Sequence, residues 1–190
     1  MKVLHYSDRG STDFMSLYKE CDMLFTTGDL NYTDLVYLQY CNDKKPRFGV
    51  YGNHDSGNYM DNFKIINVHN KVVEFNGIKI GGFEGCLKYK DTGILFEEKD
   101  AKEFYLHFPT VDILLLHAGP EGLLDDGNDP VHKGSTFIRK YVIEKNPRFV
   151  FCGHQYSHAE TKCGNTQIFR TYGARIITLS LSAVICRKKR

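Results

Sequence analysis

Five apolar runs punctuate this chain, and each one breaks into a side chain suited to metal or proton chemistry. Lys2 to Ser7 runs out at Asp8, and Asp22 to Thr27 ends in Gly28-Asp29. The run that closes with Val50 and Tyr51 is followed by Gly52-Asn53-His54-Asp55. Val111 to Leu116 leads into His117, and Arg148 to Cys152 into Gly153-His154. Runs of four to six apolar residues bounded by glycine and polar clusters predict buried strands. Between the first three lie stretches that predict helices, one capped by Ser11 or Thr12 and running to Glu20, the other over Thr33 to Tyr40. Strand and helix alternating with short connections imply mostly parallel neighbours whose C-terminal ends share one rim of a sheet. Open α/β sheets place their sites on that rim.

The middle of the chain changes period. Lys71 to Phe75 and Ile78 to Phe83 flank Asn76-Gly77, a dipeptide that predicts a β-hairpin. Glu84 to Phe96 predicts a loop, and Glu97 to Phe108 an amphipathic helix stopped by Pro109. Gly119 to Lys133 is a long loop rich in Asp, Gly and Pro, and in a compact domain a loop of that length is usually functional. A helix from Gly134-Ser135 to Lys145 follows, ended by Pro147. Glu160 to Cys186 predicts several antiparallel strands, with turns at Gly164-Asn165 and Gly173.

Composition narrows the choice. With 190 residues, 42% hydrophobic and 13% aromatic, the chain can bury one good core, and a single domain over residues 1–190 is expected. Twenty-five Lys and Arg against 23 Asp and Glu leave a formal charge of +2, which gives no electrostatic reason to expect nucleic acid as a partner. The basic tail Arg187 to Arg190 reads as a solvated terminus. No stretch is long enough for a signal segment or a membrane span, so a cytoplasmic protein is expected. The six cysteines lie apart, without a Cys-x-x-Cys pair, and are expected to be reduced and mostly buried. Nothing in the sequence specifies an oligomeric state.

Asp8, Asp29, Asn53, His54, His117 and His154 each have an ordinary structural reading: a helix cap, a turn residue, a hydrogen-bonded imidazole. Brought to one rim, carboxylates, an amide oxygen and imidazoles suit a borderline divalent cation such as Mn²⁺, Fe²⁺ or Zn²⁺. Strand alternation puts His5 on the opposite face from Asp8, packed in the sheet, and His69 and His107 have no motif context.

In order along the chain, Asp8, Gly28-Asp29, Gly52-Asn53-His54-Asp55, His117-Ala-Gly-Pro120 and Gly153-His154 resemble the motif set of the calcineurin-like metallophosphoesterases. Asp125 or Asp126 in the long loop, His132-Lys-Gly-Ser135 and Pro147 are similar to small single-domain members. The resemblance implies two facing mixed β-sheets flanked by α-helices, with a two-metal site at the strand ends. Asp29 would bridge both ions, Asn53, His117 and His154 would complete one, and Asp8 would belong to the other. A metal-activated hydroxide would attack phosphorus, with His54 donating the leaving group's proton and Asp55 holding the other nitrogen of that imidazole. The cofactors implied are divalent cations, Mn²⁺ first, then Fe²⁺, Zn²⁺, Ni²⁺ or Mg²⁺.

Two positions depart from that pattern. Gly10 and Tyr156 stand where the family usually carries histidines, and both missing ligands belong to the metal of Asp8. One tight site and a second, weaker one are therefore expected, with His158 as a substitute ligand if the chain bulges at Gln155 to Ser157. Arg9 and His132 are the expected contacts to a small phosphate monoester or diester. A catalytically inactive binding or scaffold protein is the alternative, which retention of His54 and Asp55 disfavours. A nuclease is disfavoured by the charge balance.

Overall fold

A computed structural model describes residues 1–8, 13–56 and 58–180 of the chain. The first half builds strands β1 (Lys2–Ser7), β2 (Met23–Thr26), β3 (Arg47–Gly49) and β4 (Ile66–Asn67), with helices α1 (Phe14–Glu20), α2 (Tyr32–Leu35) and α3 (Tyr59–Asn62) between them. The hairpin β5 (Val72–Phe75) and β6 (Ile78–Phe83) follows, then the short β7 (Cys86–Leu87) and β8 (Leu95–Phe96), helix α4 (Glu98–His107) and strand β9 (Ile113–Leu116). Helix α5 (Thr136–Lys145) and strands β10 (Phe149–Cys152), β11 (Ala159–Cys163), β12 (Thr166–Arg170) and β13 (Gly173–Thr178) complete it.

Two mixed sheets result. One has the order β13-β1-β2-β3-β4, the other β11-β12-β10-β9-β6-β5. β1 through β4 pair in parallel, as do β6, β9, β10 and β12, while β13, β5 and β11 join antiparallel at or beside the edges.

Side-chain alternation sorts each strand between two layers. Val3, Met23, Phe25 and Phe48 of the first sheet meet Ile80, Ile113, Leu115 and Phe151 of the second in the central layer. On the other face of the first sheet, Leu4, Tyr6 and Leu24 pack on Phe14 and Tyr18 of α1. Leu114, Leu116 and Val150 do the same against Phe104 of α4 and Tyr141 and Val142 of α5. This is the expected sandwich of facing mixed sheets with helices outside. His5 lies in the central layer as alternation requires, with its ring 5.1 Å from and edge-on to Phe151.

Several boundaries differ from the sequence reading. The helix expected over Thr33 to Tyr40 is one α-helical turn followed by a 3₁₀ segment, Val36–Gln39. α3 and β4 were not foreseen, being too short to show a period. The loop expected over Glu84 to Phe96 contains β7 and β8, paired in parallel. In the last third, β12 pairs in parallel with β10, and β13 crosses to the first sheet. The helix cap at Ser11 or Thr12 and the strand continuation to Cys186 lie outside the described residues, among which no disulfide forms.

The hairpin turn and helix ends are as the sequence specifies. Asn76 and Gly77 both take positive φ, at 51° and 77°, the type I′ requirement. Ser135 caps α5 by accepting from Ile138 N at 3.3 Å.

Phe151 fills the middle of the sandwich, fully buried, with Phe25 at 5.1 Å and Phe169 at 5.4 Å. Phe151→Ala should cost about 3–5 kcal/mol in urea unfolding, the range for a buried phenylalanine truncated in a rigid layer. A loss below about 1 kcal/mol would show that the two sheets can close over the gap.

Candidate metal centre

The register of the sheets decides what meets at the rim. Tyr6 lies beside Thr26, and Thr26 beside Gly49, so the loops after β1, β2 and β3 leave the first sheet side by side. In the second sheet Phe151 lies beside Leu115, so His117 and Gly153-His154 emerge together, joined by Gly153 N–H donating to His117 O at 2.9 Å.

Asp8, Asp29 and His117 each bring one potential ligand atom to a common place, all within 4.8 Å of one another. Asn53 Oδ1 lies 2.8 Å from His117 Nε2. The His154 ring lies 4.8 Å from the His117 ring, centre to centre. All five residues assigned to metal from the strand ends are therefore gathered, although they come from loops up to 146 residues apart.

Backbone partners fix the two imidazoles. A carbonyl oxygen only accepts, so a ring nitrogen facing one carries the hydrogen. His117 Nδ1 donates to Thr27 O at 2.6 Å, and His154 Nε2 donates to Val131 O at 2.7 Å. That leaves His117 Nε2 and His154 Nδ1 as the lone-pair nitrogens of the neutral rings. Partners of this kind are what orient metal-bound histidines.

His117 Nε2 then faces two acceptors, Asn53 Oδ1 at 2.8 Å and Asp29 Oδ2 at 3.4 Å. A lone pair against two oxygens is repulsive. With Asn53 Oδ1 turned to the ring, a cation among the three atoms, either a second proton on the ring or a metal ion, makes the arrangement favourable. Burial alone would lower the His117 pKa, yet hydrogen bonding and charge from Asp29, with the charge of Asp8, raise it to about 9. His154 is held neutral, its pKa lowered to about 3 by burial and by the charge of His117. Burial raises Asp8 to about 6 against the pull of His117. The donor set, two carboxylates, an amide oxygen and two oriented imidazoles, fits a borderline divalent cation.

Each carboxylate uses part of itself to hold the frame. Asp8 Oδ2 accepts from Ser7 Oγ at 2.8 Å and from His154 N at 3.0 Å, and no donor from the described residues reaches Oδ1. Asp29 Oδ1 accepts from His54 N at 2.8 Å, leaving Oδ2 toward His117. Asp8, Asp29 and His154 all adopt left-handed backbone, with φ of 58°, 54° and 63°. Such residues cost about 1–3 kcal/mol each and persist where the surroundings impose them, commonly at functional sites.

Asp55 has a different job from the one expected. Its Oδ2 accepts from Gly52 N at 2.7 Å and from Asp29 N at 2.8 Å, and no hydrogen bond joins it to the His54 ring. It ties the loop after β2 to the turn after β3. The glycines there are steric necessities: a Cβ on Gly52 would lie 2.2 Å from Asp29 Oδ1, and one on Gly28 would lie 2.0 Å from Gly52 N. His54 is exposed at the edge of a cleft of about 570 Å³ lined also by Leu30, Tyr32, Asp55, Asn58 and Tyr59. A larger concavity of about 630 Å³ lies between β6 and α4 and includes none of these metal-centre residues.

The remaining assignments divide. His132 stands beside the centre, its ring 5.0 Å from that of His154, with Nδ1 against Asp129 Oδ2 at 2.5 Å. His158 does not replace the missing ligand, because its Nδ1 accepts from Tyr172 N at 3.3 Å and it is not among the clustered ligand atoms. The chain bends over residues 154–157 before β11 begins at Ala159, and the His158 ring is left against Tyr172 N and not at the centre. Tyr156 is 73% exposed, with its ring set edge-on to His132 at 5.2 Å. Arg9 and Gly10 lie outside the described residues. Sequence reasoning missed Tyr89, whose hydroxyl accepts from Asn53 Nδ2 at 3.2 Å, and Lys90, whose Nζ lies 3.4 Å from His54 Nδ1. Their only sequence signal was membership of the long Glu84 to Phe96 segment.

Two outcomes follow from this geometry. Asp55→Ala should reduce bound Mn²⁺ per chain nearly as much as loss of a ligand, because it releases the backbone that carries both Asp29 and Asn53. Metal content equal to wild type, measured by elemental analysis, would remove Asp55 from that role. A divalent cation should raise Tm by an amount that grows with the logarithm of its concentration relative to its Kd for the folded state, and a chelator should reverse the shift. An unchanged Tm across the series would argue against a metal centre.

No protein-family model matches the sequence, and no curated protein matches it. Solved structures do. The protein TT1561 of Thermus thermophilus superposes with a TM-score of 0.60 at 14% identity, over 90% of this chain and 89% of that one. A hypothetical protein from the same organism gives 0.55 at 12% identity, over 91% and 76%. A Staphylococcus aureus protein named as a 5′-nucleotidase gives 0.53 at 11% identity, over 95% of this chain but only 51% of its own length. At such identities the likeness establishes architecture, and together with the two facing sheets and their flanking helices it shows that this chain has the calcineurin-like metallophosphoesterase fold.

Proposed function

We propose that this protein is a metal-dependent phosphoesterase that hydrolyses a phosphate monoester or diester. The observation that carries the reading is the convergence of acceptors on His117 Nε2, where Asn53 and Asp29 present oxygens at 2.8 and 3.4 Å with Asp8 close by. Asp8, Asp29, Asn53, His117 and His154 would hold the divalent cation, with Mn²⁺ first among Fe²⁺, Zn²⁺, Ni²⁺ and Mg²⁺. A cation bound there supplies Lewis-acid activation of water and neutralises charge that grows on the phosphoryl oxygens.

The chain's own residues do the rest. In hydrolysis the water oxygen bonds to phosphorus, the ester P–O bond breaks, and the departing oxygen takes a proton. His54 is the donor for that proton: its backbone N–H is pinned to Asp29 Oδ1 at 2.8 Å while its ring remains exposed at the cleft. Asp55 positions the turn that carries Asn53 and His54, through Gly52 N and Asp29 N. His132, beside His154, is the nearest contact the long loop offers to a substrate. Among the described residues no helix is long and apolar enough to cross a membrane.

A scaffold that retains the fold without turnover is the second reading, favoured by Tyr156. Its ring sits against His132, and among the described residues only Asp8 and Asp29 remain for the second cation. Hydrolysis of aryl phosphate esters with added Mn²⁺ separates the two. Folded protein that turns over neither a monoester nor a diester with any divalent cation would leave the scaffold standing. The roles also separate by mutation. His54→Ala should lower kcat about 10²–10⁴-fold, the usual contribution of a positioned acid, with bound metal unchanged. Asn53→Ala and His154→Ala should lower the metal content itself. Equal metal loss in all three variants would contradict the division.

A further inference from the structure

The segment between β6 and β8 folds back onto the turn that carries Asn53 and His54. Tyr51 O accepts from Gly85 N at 3.0 Å, and Asn53 O accepts from Ile94 N at 3.3 Å. Gly93, at φ 111°, comes so near that a Cβ would lie 2.4 Å from Asn53 O. Pinned at both ends, the segment delivers consecutive side chains to consecutive residues of the turn. Tyr89 reaches Asn53 and Lys90 reaches His54.

Lys90 is half-buried, and among the described residues it makes no ion pair. Its neighbour Lys88 is exposed and paired with Asp91 at 3.7 Å. An ammonium has three donors and no acceptor, so a partly desolvated one is satisfied best by an anion. Here Nζ lies 5.2 Å from the centre of the Tyr89 ring and 3.4 Å from His54 Nδ1. Nζ can only donate, so in this arrangement Nδ1 accepts and the neutral ring carries its hydrogen on Nε2; an ammonium drawn to a phosphoryl oxygen instead leaves Nδ1 free to take the second hydrogen that a proton donor needs.

We propose that Lys90 binds a non-bridging phosphoryl oxygen of the substrate and thereby selects a phosphate monoester dianion over a diester monoanion. A monoester carries a second ionisable oxygen, with pKa about 6, where a diester carries an uncharged ester group. A compact ammonium beside that oxygen stabilises the dianion and gains little from the diester. Lys90 is thus a substrate-binding residue that sequence alone did not single out. The turnover it governs rests on the phosphoesterase reading, whereas its affinity for a phosphate anion does not.

The test uses Mn²⁺-loaded protein carrying Lys90→Met, which keeps the aliphatic stem and removes the charge, with Lys90→Gln and Lys90→Arg beside it. Two measurements are made: kcat/KM for p-nitrophenyl phosphate and bis-p-nitrophenyl phosphate, and the Kd of inorganic phosphate by calorimetry. Lys90→Met and Lys90→Gln should each lower monoester kcat/KM about ten-fold or more, chiefly through KM, and weaken phosphate binding about as much, the scale of one charge-assisted hydrogen bond. The diester should change less than about three-fold, and Lys90→Arg should recover most of the loss. Equal losses on both esters, or an unchanged phosphate Kd in both neutral variants, would overturn the assignment. If wild type hydrolyses neither ester with any divalent cation, the phosphoesterase reading falls, and the phosphate Kd of wild type against Lys90→Met still decides the role of Lys90.

Discussion

One carboxylate oxygen holds the working end of this molecule together. Asp55 Oδ2 takes the N–H of Gly52 at 2.7 Å and that of Asp29 at 2.8 Å, joining loops that follow different strands. Gly28 and Gly52 permit the approach, since a Cβ on either would collide with the opposite loop. What the loops after β2 and β3 bring to the centre hangs on that junction, while Asp8 is held separately by Ser7 and His154 N. Asp29 is held by its own N–H and holds His54 in turn through Oδ1, while Asn53 leaves the same turn toward His117. Burial raises the Asp55 pKa, and the two donors oppose it by favouring the ionised form.

The second sheet contributes by a different device. His117 and His154 are buried, and each is oriented by a backbone carbonyl, Thr27 O and Val131 O respectively. Thr27 belongs to the first sheet's side of the rim and Val131 to the long loop, so each imidazole is a tie across the molecule as well as a proposed ligand. Thr27 also bonds His5 Nε2 through Oγ1 at 2.9 Å, which links the centre to the layer between the sheets. Left-handed backbone at Asp8, Asp29 and His154 costs about 1–3 kcal/mol apiece. Three such residues within one site mark a place where the rest of the fold sustains a strained geometry, which is the pattern of functional sites.

The parts of this that were legible in the sequence share a physical signature. Central strands are apolar on both faces, so β1, β2, β9 and β10 stand out, and the chemical residues follow at their ends. The hairpin at Asn76-Gly77 shows for a similar reason, because few dipeptides accept positive φ twice. What stayed hidden has no local signature. α3 and β4 are four and two residues long, shorter than any period. The crossing of β13 to the other sheet is a long-range pairing with β1 that nothing near Gly173 encodes. Asp55 was credited with orienting His54 because the two are adjacent, but its partners proved to be backbone N–H groups, one of them 26 residues away. His158 stays out of the cluster although the chain bends over residues 154–157, because its ring is turned to Tyr172 N.

The same distinction explains why Lys90 had to come from structure. A lone lysine in a loop is ordinarily a solvated charge, and nothing in the order of residues says otherwise. Its meaning comes from the backbone around it: Gly93 allows the loop to lie against Asn53 O, Tyr89 seats on Asn53, and the next residue is then within reach of His54. A site that lacks histidines at positions 10 and 156 has fewer neutral ligands with which to gather positive charge for a phosphoryl group. On the proposed reading, a loop that brings a covalently fixed cation beside His54 would meet part of that need. A phosphate monoester would suit that arrangement, with two ionised oxygens to divide between a metal and an ammonium.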